Sequence, residues 1–125
     1  MLSIAGVDKF QLAYTHSVAR TPVKEYYEIQ YPNLIIQTRM DYHSYGAGLP
    51  TKSSQNYQLI DGAIVIDGMA NEHSEIPVRV GRVSEQKIVF NEKSIPLIDL
   101  AKPGKLLIIK PGKLYFRFDG FRFSK

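Results

Sequence analysis

The side chains equipped for chemistry in this chain are three histidines, His16, His43 and His73, and a scatter of carboxylates. His43 stands two residues from Asp41, and His73 lies between Glu72 and Glu75. Imidazole and carboxylate together can ligate zinc or a harder ion, but a site needs three or four converging ligands. Each of these histidines sits alone on a stretch that reads as loop, so no metal and no cofactor is expected. Nucleophilic catalysis finds no footing. No Gly-x-Ser-x-Gly elbow occurs, and the absence of cysteine removes thiol nucleophiles, thiolate ligands and disulfides together. Two Pro-Gly-Lys-Leu units, Pro103 to Leu106 and Pro111 to Leu114, lack the glycine spacing and following helix of a phosphate-cradling loop. Asp61, Asp67 and Asp119 each precede a glycine, where a turn already accounts for them. The expectation is a protein that is not an enzyme.

Contact chemistry is better represented. The stretch from Tyr42 to Asn56 (YHSYGAGLPTKSSQN) has no periodic pattern and is long for a loop inside a compact domain, a length that usually goes with function. It carries Tyr42, His43, Tyr45 and Leu49. The last 24 residues, 102–125, hold four of the six phenylalanines and seven of the sixteen Lys and Arg, with Asp119 as their single acid. That end therefore carries +6 and the rest of the chain −2. Tyr115, Arg117 and Arg122 line its polar face. Two partner classes follow. Tyrosine gives large contact area at low entropic cost, so Tyr26, Tyr42, Tyr45 and Tyr115 suit protein–protein contacts. The leading expectation is a structural or adaptor module in a homo-oligomer or larger assembly, such as a virion, tail or secretion-apparatus component. The second is a small barrel binding single-stranded nucleic acid through a basic, aromatic strand face.

The elements that must position these residues are strands. Helical periodicity is missing, β-branched and aromatic residues dominate, and seven prolines and nine glycines punctuate the chain at sandwich or barrel spacing. A length of 125 residues fits one domain, 1–125. The fold class expected is all-β, a sandwich or partly open barrel of about eight to ten short antiparallel strands. Phe10 to Thr15 alternates. Lys24 to Arg39 reads as a strand pair broken at Pro32-Asn33, with Tyr27 and Ile29 on one face and Tyr26, Glu28 and Gln30 on the other. The two Asp-Gly pairs at 61–62 and 67–68 predict hairpin turns bracketing a core strand. Ile76 to Val83 follows, with Pro77 marking an edge, then Gln86 to Phe90 and Ile95 to Leu100 around a hairpin loop.

The closing strand pair, 105–124, turns at Pro111-Gly112. Leu114, Phe116 and Phe118 share one parity there, and a bulge at Asp119-Gly120 would keep Phe121 and Phe123 with them. These four phenylalanines are expected inside, at about 3–5 kcal/mol for truncating Phe116 or Phe118. No run is long and apolar enough to span a membrane, and the N-terminus lacks the pattern of a signal peptide, so cytoplasmic synthesis is expected.

Overall fold

The computed structural model describes residues 2–15, 20–43, 56–60, 62–81 and 85–117, with the backbone alone at Asn56, Tyr57 and Arg117. The chain is all-β, built as two antiparallel sheets. Twelve strands occur among the described residues: β1 (Leu2–Ser3), β2 (Lys9–Thr15), β3 (Pro22–Gln30), β4 (Leu34–Tyr42), β5 (Asn56–Ile60), β6 (Ala63–Asp67), β7 (Asn71–His73), β8 (Ile76–Arg79), β9 (Lys87–Phe90), β10 (Lys93–Pro96), β11 (Leu106–Lys110) and β12 (Lys113–Arg117). The larger sheet runs β10-β9-β2-β3-β4-β6-β5, with β7 also paired to β4, and the smaller runs β1-β12-β11-β8. One short 3-10 turn, Leu97–Asp99, links them.

Turn chemistry explains most of the junctions. Pro103-Gly104 and Pro111-Gly112 each place a glycine at positive φ, +94° and +89°, and each leads directly into a strand of the smaller sheet. The first turn is closed by the Lys105 N–H donating to the Lys102 carbonyl at 3.1 Å. Proline sets φ at the first corner and glycine accepts the positive φ at the second, as a type II turn requires. The β9–β10 hairpin turns on Asn91 and Glu92, both at positive φ, the mark of a type I′ connection. The Tyr31–Pro32 peptide between β3 and β4 is cis.

Gly62, at φ +83°, sits in the β5–β6 hairpin as expected. The second Asp-Gly pair behaves differently from the prediction. After Gly68 the chain does not fold back on β6. It continues along β4, so that Met40 to Tyr42 pair with β6 while Ile35 to Gln37 pair with β7. Asp67 to Ala70 bulge outward between the two segments, held by the Met69 N–H on the Thr38 carbonyl at 3.0 Å and the Gly68 N–H on Asp67 Oδ1 at 2.8 Å. An Asx-type bond of this kind stabilises a bulge as readily as a hairpin.

The sheets enclose one hydrophobic cluster. Phe10 and Leu12 of β2, Tyr27 and Ile29 of β3, Ile35 of β4 and Ile88 of β9 face Ile76 of β8, Leu107 and Ile109 of β11 and Leu114 of β12. Phe10 and Tyr27, directly opposite each other, stack with centroids 4.9 Å apart. The alternation in β2 and β3 is what puts these residues on one face. β11 breaks that alternation: Leu107, Ile108 and Ile109 are all at or below 1% exposure, so this strand is covered on both sides.

The expected role of Phe116 is corrected here. It shares the parity of Leu114 yet is 51% exposed, against 1% for Leu114. Leu114 is flanked by Ile109 and by Leu2 of β1, whereas among the described residues β1 pairs with only Lys113 and Leu114 of β12. Phe118, Phe121, Phe123 and the expected bulge lie outside the described residues. No helix among the described residues is long and apolar enough to cross a membrane. Truncating Leu107 or Ile109 to Ala is expected to cost about 2–4 kcal/mol, and truncating Phe116 about 1 kcal/mol or less, because half its surface is already in water. Urea midpoints of the three variants measure the difference, and equal losses would contradict this packing.

Candidate functional site

The inner face of the larger sheet turns polar at one place. β2 and β3 pair Phe10 with Tyr27, Leu12 with Glu25 and Tyr14 with Val23. Cross-strand partners point to the same side of a sheet, so Glu25 lies on the core side, in phase with the buried Val23, Tyr27 and Ile29. On β4, Gln37 faces Tyr27 across the β3 ladder. His73 of β7 stands opposite the fully buried Ile35. Five hydrogen-bonding side chains, Tyr14, Glu25, Tyr27, Gln37 and His73, thus occupy the parity that elsewhere carries the core.

Glu25 organises them. Tyr14 donates its hydroxyl to Glu25 Oε2 at 2.7 Å and Tyr27 donates to Oε1 at 2.5 Å, distances typical of hydroxyl–carboxylate bonds. Burial, with the hydrogen bond to the Glu25 carboxylate as the next cause, holds both phenols well above their ordinary value near 10. All three side chains line a cavity of about 470 Å³ between this face and strand β8, whose Ile76 and Val78 form an apolar wall. Its arrangement is a mostly apolar cleft with a few convergent polar groups, the usual form of a ligand site.

A broader concavity of about 780 Å³ lies where Tyr26, Glu28 and Arg39 line the other face of the same sheet. Two of its polar groups, Tyr26 and Arg39, are engaged with each other and with Asp41. Arg39 grips Asp41 with Nε at 2.7 Å and Nη2 at 3.0 Å, and its guanidinium stacks 5.0 Å from the Tyr26 ring centroid. Tyr26 in turn donates to Asp41 Oδ2 at 3.1 Å. These three side chains form one hydrogen-bonded network.

Of the contact residues read from the sequence, those described divide between the two sheets. Tyr42 ends β4, half-buried and paired with Val23 and Ile64. His43 follows it, half-buried, with its N–H on the Pro22 carbonyl at 3.4 Å. Tyr42 belongs to the larger sheet and His43 lies just past the end of β4. Tyr115 and Arg117 belong to β12 of the smaller sheet, where Tyr115 is half-buried with the Lys113 ammonium 5.6 Å from its ring centroid. Tyr45, Leu49 and Arg122 lie outside the described residues. Tyr26, Tyr42 and Tyr115, expected as exposed contact residues, are half-buried instead. Among the described residues, no three His, Asp or Glu side chains converge as a metal site would need.

Residues 10–97 match the family model described as a domain of unknown function, DUF1850. That span covers well over half of the chain. The chain belongs to the DUF1850 family. No curated protein and no solved structure matches it. All five residues of the polar cluster fall within the DUF1850 span, whereas β1, β11 and β12, three of the four strands of the smaller sheet, fall outside it.

In the sequence Tyr14 is in phase with Phe10 and Leu12, and Tyr27 with Ile29, but that pattern alone gave Glu25 no role. The available signal was parity: a carboxylate in phase with Tyr27 and Ile29 is a polar residue at a core position. Because the native state keeps Tyr14 and Tyr27 protonated longer than the unfolded chain does, stability is fully present below about pH 10 and falls as pH rises above it. Urea midpoints across an alkaline series are expected to decline through that range and to decline less in the Tyr14→Phe/Tyr27→Phe double variant. At neutral pH, Tyr14→Phe alone is expected to cost about 1–2 kcal/mol; an unchanged midpoint would argue against the bond.

Proposed function

We propose that this DUF1850 protein is a non-catalytic module that joins other protein subunits, copies of itself included, through the free edge of strand β5. The single observation that carries this reading is the contrast among the sheet edges. A free strand edge is a template for further pairing, and natural proteins usually guard it with charge, proline or brevity. β8 carries Pro77 and Arg79, β10 carries Lys93 and Pro96, and β1 is two residues long. β5 reads Asn-Tyr-Gln-Leu-Ile, five residues without charge or proline. No strand lies along its outer side among the described residues, and Leu59 and Ile60 are 63% and 45% exposed. Strand addition at such an edge draws affinity from main-chain hydrogen bonds and specificity from alternate side chains. Repetitive assemblies of the virion, tail or secretion-apparatus kind are the setting this geometry suits. Sedimentation velocity over a concentration series is expected to reveal self-association that Leu59→Lys and Ile60→Lys weaken by about tenfold, a cost of about 1.4 kcal/mol. A wild-type chain that stays monomeric throughout, or variants that associate equally well, would overturn the reading.

One observation favours a second reading, binding of single-stranded nucleic acid. Phe116 stands half in solvent on β12, one residue from the Lys113-covered Tyr115, and exposed rings beside cations serve as base-stacking platforms. Titration of an oligonucleotide at low and high salt tests it. Steep salt dependence and a loss of about 1–3 kcal/mol in Phe116→Ala are expected on this reading, and no binding at low salt rejects it.

A further inference from the structure

We propose that the cavity between strand β8 and the Tyr14–Glu25–Tyr27 cluster is a binding site for a small organic cation, an alkylammonium or alkylguanidinium whose charged head meets Glu25. This site is separate from the β5 edge and does not depend on it. The chemistry of the head group follows from hydrogen-bond direction. Both tyrosine hydroxyls spend their single proton on Glu25, so the free capacity of the cluster is lone pairs on four oxygens beside a negative charge. A cluster of acceptors recognises a donor, and best a cationic one. An anion would meet repulsion at the same point.

Among the described residues, no Lys or Arg forms a salt bridge with Glu25. Lys87 and Arg79 line the same cavity, but Lys87 sits on the parity opposite the buried Ile88 and is exposed. Arg79 lies out of phase with the buried Ile76 on β8, and its Nη1 donates to the Gly104 carbonyl at 3.1 Å. All the hydrogen bonds of Glu25 within the described residues are those from the two tyrosines.

The body of the ligand follows from the walls. Leu12, Ile76 and Val78 offer apolar surface, and the tyrosine rings add faces favourable to a cation. A volume of about 470 Å³ lies within the range of about 300–1,000 Å³ usual for small-molecule sites. Gln37 and His73 stand at the far side from Tyr14, on β4 and β7, where they can hold a second polar group. A carboxylate is expensive at a core position, and the two tyrosine bonds take one lone-pair site on each of its oxygens, which leaves acceptor capacity for a cationic head. The retained charge is what a cationic ligand would use.

The test is titration of the full chain with n-butylammonium and n-butylguanidinium, followed by backbone amide NMR, with n-butyrate and n-butanol as controls. Saturable shifts centred on Leu12, Tyr14, Gln37, His73 and Val78 are expected for the two cations, with none for butyrate. Affinity is expected to fall at least about tenfold in Glu25→Gln, which keeps the shape and removes the charge. Val78→Trp, which fills the cavity and leaves Glu25 intact, is expected to abolish binding, so the proposal stays testable should Glu25→Gln fold poorly. Shifts equal for butanol and butylammonium, binding that survives either variant in folded form, or no saturable shift in the wild type would each overturn it.

Discussion

The structure depends on how a sheet of four strands covers a sheet of eight. The apolar inner faces of the two sheets can leave water only against each other, and burial of such surface is the main favourable term in folding. Strand β11 carries most of the smaller sheet's share. Its Leu107 and Ile109, with Leu114 of β12, meet Phe10, Ile35 and Ile88 and close the cluster. The cover is shorter than what it covers, so it has to end somewhere on the inner face. It ends at β8, the outermost strand of the smaller sheet.

The polar cluster lies along that boundary. Next to Ile76 and Val78 of β8 the larger sheet presents Tyr14, Glu25 and Tyr27 in place of further aliphatic side chains. A carboxylate at a core parity needs hydrogen-bond partners, and the two phenols supply one to each of its oxygens. A core that gives way to a hydrogen-bonded, half-buried carboxylate is a deviation from binary patterning of the kind functional sites produce. Phe116 is half in water, and among the described residues β1 pairs with only Lys113 and Leu114 of its strand.

Among the described residues the sheets have five outer strands, β1, β8, β10, β7 and β5, and proline, charge or brevity blunts the first four, β7 being three residues long with Glu72 at its centre. Continuation of β6 into β7 along β4 contributes to this asymmetry. Because the chain bulges at Asp67 to Ala70 and follows β4 instead of folding back, β6 is left between β4 and β5, and β5 becomes the terminal strand on that side.

The sequence by itself determined the all-β class, most strand positions, both Pro-Gly turns, the edge position of Pro77 and the shared parities of Phe10 with Leu12 and of Tyr27 with Ile29. These follow from period-two alternation and from residues whose backbone preferences act locally, so neighbouring positions along the chain are enough to read them. It did not determine whether Asp67-Gly68 makes a hairpin or a bulge, because the same local hydrogen bond serves both and only the pairing partner on β4 decides. Nor did it determine which inward-facing residues would be covered. Leu114 and Phe116 are equivalent by parity, and of the two only Leu114 pairs with β1 among the described residues. Glu25 was legible as a polar residue out of place, but its two tyrosine partners come from separate positions along β2 and β3, and strand register alone brings them to its two oxygens. Burial and convergence are properties of pairs of elements distant in sequence, and the tertiary structure is where those pairs are formed.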